Sequence, residues 1–354
     1  MGLPLMPPLL QSAVATGLWP VLSRAGIVGK RPAGPWLQGT VAGQTRRLFT
    51  MQQITVRVPG STSNLGPGFD CLGVALRIHN SVTVIRSPSD EASHSRIVSD
   101  AAQQFFKQTR RRAFSFSCSI AERIPRCRGL GSSATVRLGI LLGLNRLSGD
   151  PLDRLDVFRL CAELEGHPDN AAPASFGGFT VVKSYGSTSF AQDKRHMCAA
   201  VQRFEVAPRL HFVLLVPDLE IQTARARKIL PSKISRVAAV ESCANACAVT
   251  AAFASRDYEK MRGTFSDKFH QPFRARLIPF LPRVIAAAER AGALGAFLSG
   301  SGSAIAAVTL EAPEKIATAM ARTAASPAAT IITRADNRGA QVLPIRRLSS
   351  AIHY

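Results

Sequence analysis

The chain has 354 residues, 46% of them hydrophobic, and a formal net charge of +21 at pH 7. That length suits two compact lobes with an ample core, and no run of about 18 uninterrupted apolar residues suggests a membrane-spanning helix. The charge invites an anionic partner. With three Tyr, both Trp in the first fifty residues (Trp19 and Trp36) and no zinc-finger or RNP-like pattern, however, the chain gives no support for specific nucleic-acid binding.

The cysteines, Cys71, Cys118, Cys127, Cys161, Cys198, Cys243 and Cys247, form no CxxC pair and are odd in number, so they read as reduced thiols in a reducing, cytoplasmic setting. Cys243 and Cys247 would share a helix face, but no further ligand stands close by to complete a zinc site. Residues 1–50 carry five Lys or Arg, no Asp or Glu and six Pro, and they read as a leader or a misassigned extension outside the fold. A secretory signal fits poorly, since the first residues lack a basic start and are broken by Pro4, Pro7, Pro8 and Pro20. A transit peptide and a true start at Met51 both stay open, with Met51 favoured.

From Ile54 to Pro59, apolar and polar residues alternate as in a half-buried strand. The next segment, STSNLGPGFDCLG from Ser61 to Gly73, is too polar for core, and Asn64 and Asp70 in it read as turn formers or as ligands facing a cleft. The basic run Arg110 to Arg112 follows a predicted helix and reads as its solvated end. RGLGSSATVRLGILLGLNRLSG, from Arg128 to Gly149, reads as a glycine-rich turn opening into an apolar helix. Gly129 and Gly131 would let the backbone approach a ligand, and the N–H groups and positive dipole end of the helix favour an anion such as a polyphosphate. Ser132 and Ser133 can cap the helix or offer hydroxyls to phosphate and Mg²⁺. The spacing is not that of a Walker A loop.

AELEGHPDNAAPASFGGFTVV, from Ala162 to Val182, crowds Glu165, His167, Asp169 and Asn170 between a helix end and a strand. A carboxylate beside a phosphate site suits a magnesium ligand, so Glu165 is the candidate. His167 could hold a substrate carboxylate or brace the turn; Asp169 and Asn170 could cap the turn or lie near an acceptor hydroxyl. A second glycine-rich turn, within GALGAFLSGSGSAIAAV from Gly292 to Val308, permits close backbone approach at Gly295, Ser299, Gly300, Ser301 and Gly302.

Together these segments resemble the GHMP kinases over residues 53–345. The Ser61 to Gly73 loop is similar to that superfamily's PxSxNLGPGFDxLG, and the Gly129 to Ala134 turn to its GLGSSA phosphate loop. EGHPDN from Glu165, TARARKILP from Thr223 and DKFHQPFRARLIP from Asp267 resemble elements of the subgroup that phosphorylates L-homoserine. The resemblance implies an α+β, two-lobed fold, with a ribosomal S5 domain 2-like lobe over residues 51–205 and a ferredoxin-like lobe over residues 206–354. It implies an ATP-dependent phosphotransferase acting on an alcohol and giving O-phospho-L-homoserine, on the route to threonine. Arg128, Gly129, Leu130, Gly131, Ser132, Ser133 and Ala134 would bind ATP, and Ser133 and Glu165 would lie at Mg²⁺. Asn64, Asp70, His167, Arg227 and Arg274 would bind homoserine, the arginine forks taking its carboxylate. Ser133, Glu165 and Asn170 would form the catalytic set, with no general base assigned.

The implied partners are ATP and L-homoserine, with no membrane, no specific nucleic acid and a homodimer as the candidate assembly. The chain departs from the pattern between Arg86 and Phe116, where it is short and lacks the glycine-rich hairpin that helps enclose adenine. It also has Gly302-Ser303 in place of a Gly-Pro pair. Alternatives are a related kinase of mevalonate or a sugar, which EGHPDN and TARAR argue against, and a non-catalytic basic nucleic-acid-binding relative, which would not need Ser133, Glu165 and both arginines.

Overall fold

In the computed structural model, residues 53–87, 94–184 and 198–344 are described; the expectation for residues 1–50 lies outside them. Strand β1 (Gln53–Ser63) buries Ile54, Val56 and Val58 on alternate positions and forms an antiparallel hairpin with β2 (Leu72–Arg86), setting Ile54 against Val84 and Val56 against Val82. A register shift at Pro59 and Gly60 ends that alternation, and the next four residues, Ser61, Thr62, Ser63 and Asn64, are all buried polar groups. The first sheet runs β10-β1-β2-β4-β5, with β3 (Phe116–Ala121) on the far half of β2; the other strands are β4 (Phe179–Ser184), β5 (Cys198–Phe204) and β10 (Gln341–Val342).

Helices α1 (Arg96–Thr109), α2 (Ser132–Leu147), α3 (Arg154–Glu165) and α4 (Ala171–Phe176) belong to this half. The basic run after α1 is exposed, beginning with Arg110 as its left-handed C-cap. Helix α2 is buried over most of its surface, 11 of its 16 residues being buried while Ser133 and Arg146 reach solvent. It lies directly on the hairpin: a Cβ at Gly139 would sit 2.5 Å from Val82 Cγ2, and one at Gly143 2.6 Å from Val84 Cγ2. Leu138, Ile140, Leu141 and Leu144 are each at most 1% exposed, and each contributes about 1.5–3 kcal/mol by burial.

The second sheet is wholly antiparallel, β7-β8-β6-β9, from β6 (His211–Pro217), β7 (Gly295–Leu298), β8 (Ile305–Thr309) and β9 (Ala328–Arg334). Its helices are α5 (Thr223–Lys228), α6 (Arg236–Ser255), α7 (Gln271–Arg274), α8 (Leu281–Arg290) and α9 (Pro313–Thr323). A cut near residue 205 falls between β5 and β6, but β10 carries the chain back to pair with β1, Val342 against Val56. One apolar cluster joins the two sheets, with Leu72, Val74 and Phe179 from the first packed with Phe212, Phe253 and Phe297 from the second half. Phe179 and Phe253 stack with ring centroids 4.1 Å apart. The described residues therefore form one compact unit.

Against the sequence expectation, one described helix, α6, is long and apolar enough to cross a membrane by length and composition. It lies on the surface, with Ser242, Val249, Ala252 and Phe253 packed into the body.

Candidate active site

The turn before α2 sets one wall of a cavity of about 470 Å³. Gly131 is the N-cap of α2, left-handed at φ 71°, and Thr135 N closes the first helical bond on Gly131 O at 3.1 Å. The N–H groups of the first turn have no helical partner and carry the positive end of the helix dipole. The turn is held from both halves of the protein: Ser61 N donates to Leu130 O (3.1 Å), Ser299 Oγ to Gly129 O (2.7 Å) and Ala304 N to Arg128 O (3.0 Å).

Helix α3 brings the carboxylate. Asp153 caps its start by accepting from Asp156 N at 2.8 Å, and left-handed Gly166 ends it, so Glu165 is its last residue. Ser133 Oγ donates to Glu165 Oε2 at 2.8 Å, and Arg137 Nη1 pairs with Oε1. The Glu165 side chain is 5% exposed, with both oxygens directed at partners on α2.

Facing this wall is a cluster of opposite charges. Arg227, from α5, forms a double contact with Asp70 at 2.9 and 2.6 Å. Arg274, from α7, is 2% exposed and donates through Nη1 to Gly300 O (2.9 Å) and through Nε to Ala226 O (3.3 Å). Burial, and then the neighbouring Arg227, lower the Arg274 pKa to about 10. Both guanidiniums lie over the Phe69 ring, at 5.5 and 5.3 Å.

His167 Nδ1 and Asp169 Oδ1 are 2.5 Å apart. Burial alone would lower the His167 pKa, but the Asp169 carboxylate outweighs it and holds the imidazole above its ordinary value. Burial would raise Asp169, and its His167, Ser63 and Arg227 neighbours hold it below the usual carboxylate range instead. Asn170 is fixed at both ends of its amide: Oδ1 accepts from Ser61 Oγ (2.8 Å), and Nδ2 donates to Ser63 Oγ (3.1 Å).

The cavity thus joins an anion-binding helix start and a hydroxyl–carboxylate pair to a charge cluster able to hold a zwitterion. The chain's relatives fit that combination. The family profile for the GHMP kinases N terminal domain matches residues 96–178, and that for GHMP kinases C terminal matches residues 250–326. A homoserine kinase of Moorella thermoacetica is 36% identical over 278 residues, covering 75% of this chain and 90% of that one. Another, of Carboxydothermus hydrogenoformans, is 34% identical over 304 residues, covering 81% and 96%. The crystal structure of the Cytophaga hutchinsonii homoserine kinase matches with a TM-score of 0.73 at 25% identity, over 86% of this chain and 100% of that one. This chain belongs to the homoserine kinase family of GHMP kinases.

Of the residues that the sequence marks for a homoserine kinase site, Asn64, Asp70, Arg128 to Ser133, Glu165, His167, Asn170, Arg227 and Arg274 all line this one cavity. Ala134 does not: it is fully buried behind the loop, outside the cavity lining. Two of the lining side chains act as braces. Asn64 donates to Gly300 O and accepts from Asp70 N, both at 3.0 Å, which uses both ends of its amide. Arg128 turns its guanidinium to Pro217 O (2.9 Å) and Asp218 (3.0 Å).

Local sequence assigns no role to His270 and leaves Asp169 open. His270 is 0% exposed and Nε2 lies 2.8 Å from Gly66 O, so that nitrogen carries the proton, while bare Nδ1 faces Arg274 Nη1 at 3.3 Å. Nor does sequence mark the apolar part of the cavity lining, to which Ile97, Ile120, Pro125 and Val136 contribute.

Proposed function

We propose that this protein transfers the γ-phosphoryl group of ATP to the side-chain hydroxyl of L-homoserine, giving O-phospho-L-homoserine. The observation that carries this reading is the convergence, in one cavity, of the Gly129 to Ser133 turn with Glu165 on one side and the Asp70, Asp169, Arg227 and Arg274 charges on the other. A substrate bearing both an ammonium and a carboxylate requires both signs; mevalonate and sugars do not. The apolar lining of Ile97, Ile120 and Val136 takes adenine, and the turn and the start of α2 hold the phosphates.

Ser133 Oγ and Glu165 Oε2 are adjacent hard oxygen donors, and Mg²⁺, which keeps several waters and phosphate oxygens, needs only one or two such ligands. The residues therefore fit a magnesium site, with Arg137 orienting the carboxylate. Held there by Ser133 and Glu165, the ion would supply positive charge to neutralise what develops on the transferring phosphoryl group.

The rest of the work is positioning. Arg227 and Arg274 hold the substrate carboxylate, and Asp70 and Asp169 receive its ammonium. Asn170, locked between Ser61 and Ser63, gives the acceptor hydroxyl a fixed polar neighbour. Phosphoryl transfer needs alignment and charge stabilisation more than covalent help, so no residue is required as a strong base.

The test is ADP release by the purified full chain with Mg-ATP, comparing L-homoserine with mevalonate, galactose and L-serine at equal concentration. Preference for homoserine is the expected result. Preference for another alcohol would remove the substrate assignment, and no turnover with any of them would remove the kinase.

A further inference from the structure

His270 stands immediately before α7, wholly buried, and both of its ring nitrogens are committed. Nε2 lies 2.8 Å from Gly66 O in the β1–β2 loop and 3.5 Å from Asp267 Oδ2. A carbonyl only accepts, and a carboxylate on the same side favours a proton there, so the neutral ring carries its hydrogen on Nε2. Asp267 Oδ2 also takes the backbone N–H groups of His270 and Gln271, at 2.9 and 2.7 Å, which fixes the base of the side chain. Nδ1 is thereby left as an acceptor, 3.3 Å from Arg274 Nη1.

The consequence falls on Arg274. A guanidinium holds five N–H donors in one rigid plane. Nε is used by Ala226 O at 3.3 Å, and Nη1 by Gly300 O at 2.9 Å and by His270 Nδ1. Among the described residues no acceptor is hydrogen-bonded to Nη2, and Arg274 lines the cavity. The anchored donors fix the plane and leave Nη2 for a substrate carboxylate.

These contacts close into a ring. Gly300 O also accepts from Asn64 Nδ2 at 3.0 Å, and Asn64 and Gly66 belong to the same loop. The path runs from Asn64 to Gly300, Arg274 and His270, and returns to the loop at Gly66. Asn64 Oδ1 accepts from Asp70 N at 3.0 Å, and Asp70 is the partner of Arg227. Phe69, beside Asp70, stacks on the His270 ring with centroids 5.2 Å apart. The loop that carries Asp70 is therefore tied to Arg274 at two points, the Gly300 carbonyl and the His270 ring, and of these only His270 is a side chain.

Given the reading of this cavity as an L-homoserine site, we propose that His270 is a positioning residue for the substrate. Its Nε2–H tautomer, set by Gly66 O, offers Arg274 an acceptor and so holds the guanidinium at the spacing from Asp70 that an α-amino acid requires. His270 is not among the residues that line the cavity, so it acts through Arg274. A histidine that only filled core space would need neither this tautomer nor the arginine.

Two amide substitutions separate the two nitrogens. Glutamine places an N–H where Nε2 stands and removes the acceptor at Nδ1; asparagine places an oxygen where Nδ1 stands and cannot reach Gly66 O. His270→Gln is expected to raise the KM for L-homoserine by about 10-fold, with the KM for ATP and the melting temperature close to wild type. His270→Asn is expected to keep the homoserine KM within about 3-fold of wild type and to lower the melting temperature instead. In an Arg274→Lys background, adding His270→Gln is expected to change the homoserine KM by less than about 2-fold, because the route through Arg274 is already cut. A long-range proton–nitrogen NMR spectrum at neutral pH should show the His270 ring protonated on Nε2 alone.

An unchanged homoserine KM in His270→Gln, an effect fully additive with Arg274→Lys, or a ring protonated on Nδ1 would each overturn the proposal. So would KM values that rise in both amide variants in step with their loss of stability, which would make His270 a brace of the core. A wild type with no preference for homoserine would remove the substrate reading and this role with it; a wild type that prefers homoserine, beside a His270→Gln variant of unaltered KM, would remove the role of His270 alone.

Discussion

Arg227 and Asp70 meet fork to carboxylate, through contacts of 2.9 and 2.6 Å, although 157 residues of chain separate them. The pair joins the β1–β2 loop of the first half to α5 of the second, so the cleft is closed by the same charges that are proposed to receive the substrate. A homoserine zwitterion would add one carboxylate and one ammonium beside an existing opposite pair, leaving the local charge balanced. That arrangement favours amino acids over neutral alcohols.

The consequence for Arg227 is specific. Arg227→Ala should raise the KM for L-homoserine by about 10- to 100-fold, a loss of roughly 1.4–2.7 kcal/mol, while the KM for ATP changes little. Arg227→Lys should recover only part, because a lysine cannot reproduce the two-pronged contact. Steady-state kinetics with each substrate varied in turn would decide; equal changes in both KM values would point to a general loosening of the cleft.

Arg274 behaves differently because it is buried. At 2% exposure it satisfies Gly300 O and Ala226 O, so Arg274→Ala leaves two carbonyls without donors and a void beside Phe69. The expected cost is about 2–4 kcal/mol of stability in addition to a raised KM. Thermal unfolding of the variant should show a clear drop that Arg227→Ala, being at the half-exposed rim, does not share. Equal melting temperatures would contradict this.

The Glu165 carboxylate is tested by its magnesium dependence. Glu165→Gln should depress kcat by about 100-fold or more and shift the Mg²⁺ concentration for half-maximal rate upward, with excess Mg²⁺ restoring part of the loss. Loss of activity with an unchanged Mg²⁺ curve would reduce Glu165 to a partner for Arg137.

What is legible in the sequence follows from how local each signal is. The phosphate turn, the end of α3 and the two arginines lie in short motifs where glycines and charges cluster too densely for ordinary turns and surfaces, and the structure brings them to one cavity. Bracing roles depend on distant partners. Asn64 is fixed by Gly300, 236 residues away, and Arg128 by Asp218, 90 residues away, and neither contact leaves a trace in local spacing. The lining residues Ile97, Ile120 and Val136 are ordinary apolar residues on a helix, a strand and a second helix, with nothing to distinguish them from core. Helix α6 does not stand out in sequence as a membrane-length segment because Arg236, Glu241 and Asn245 interrupt its apolar run.

His270 gives a prediction about stability and pH. Burial lowers its pKa from 6.5 to about 4, against the opposing pull of Asp267, with Arg274, Asp70 and the Gly66 carbonyl also facing the ring. A histidine whose folded pKa is depressed prefers to be neutral in the fold. Above pH 6.5 both folded and unfolded chains hold it neutral, and it adds no pH dependence. Between pH 6.5 and about 4 the unfolded chain takes up the proton and the folded chain does not, so stability falls with pH, by up to about 3 kcal/mol for this residue. His270→Gln, which can still donate to Gly66 O, should flatten that part of the urea-unfolding profile relative to wild type; an identical slope would show that other groups carry it.

The last prediction concerns the phosphate turn. Gly131 adopts φ 71°, and a Cβ there would lie 2.3 Å from Ser61 Oγ; a Cβ at Gly129 would lie 2.0 Å from Ser299 O. The two clashes differ in what can yield. Ser61 Oγ is a side-chain atom that can rotate away, but only by releasing Asn170 Oδ1, which it holds at 2.8 Å. Ser299 O belongs to the backbone of the second half, so relief there requires the two halves to part. Gly131→Ala should therefore fold, with a strain cost of about 1–2 kcal/mol, and lose kcat through a displaced Asn170. Gly129→Ala should lose more stability and raise the KM for ATP. Adding Ser61→Ala to Gly131→Ala should restore part of the stability without restoring kcat, because the space is regained while Asn170 still lacks its donor. Recovery of both together would mean that Asn170 does not depend on Ser61 for its placement.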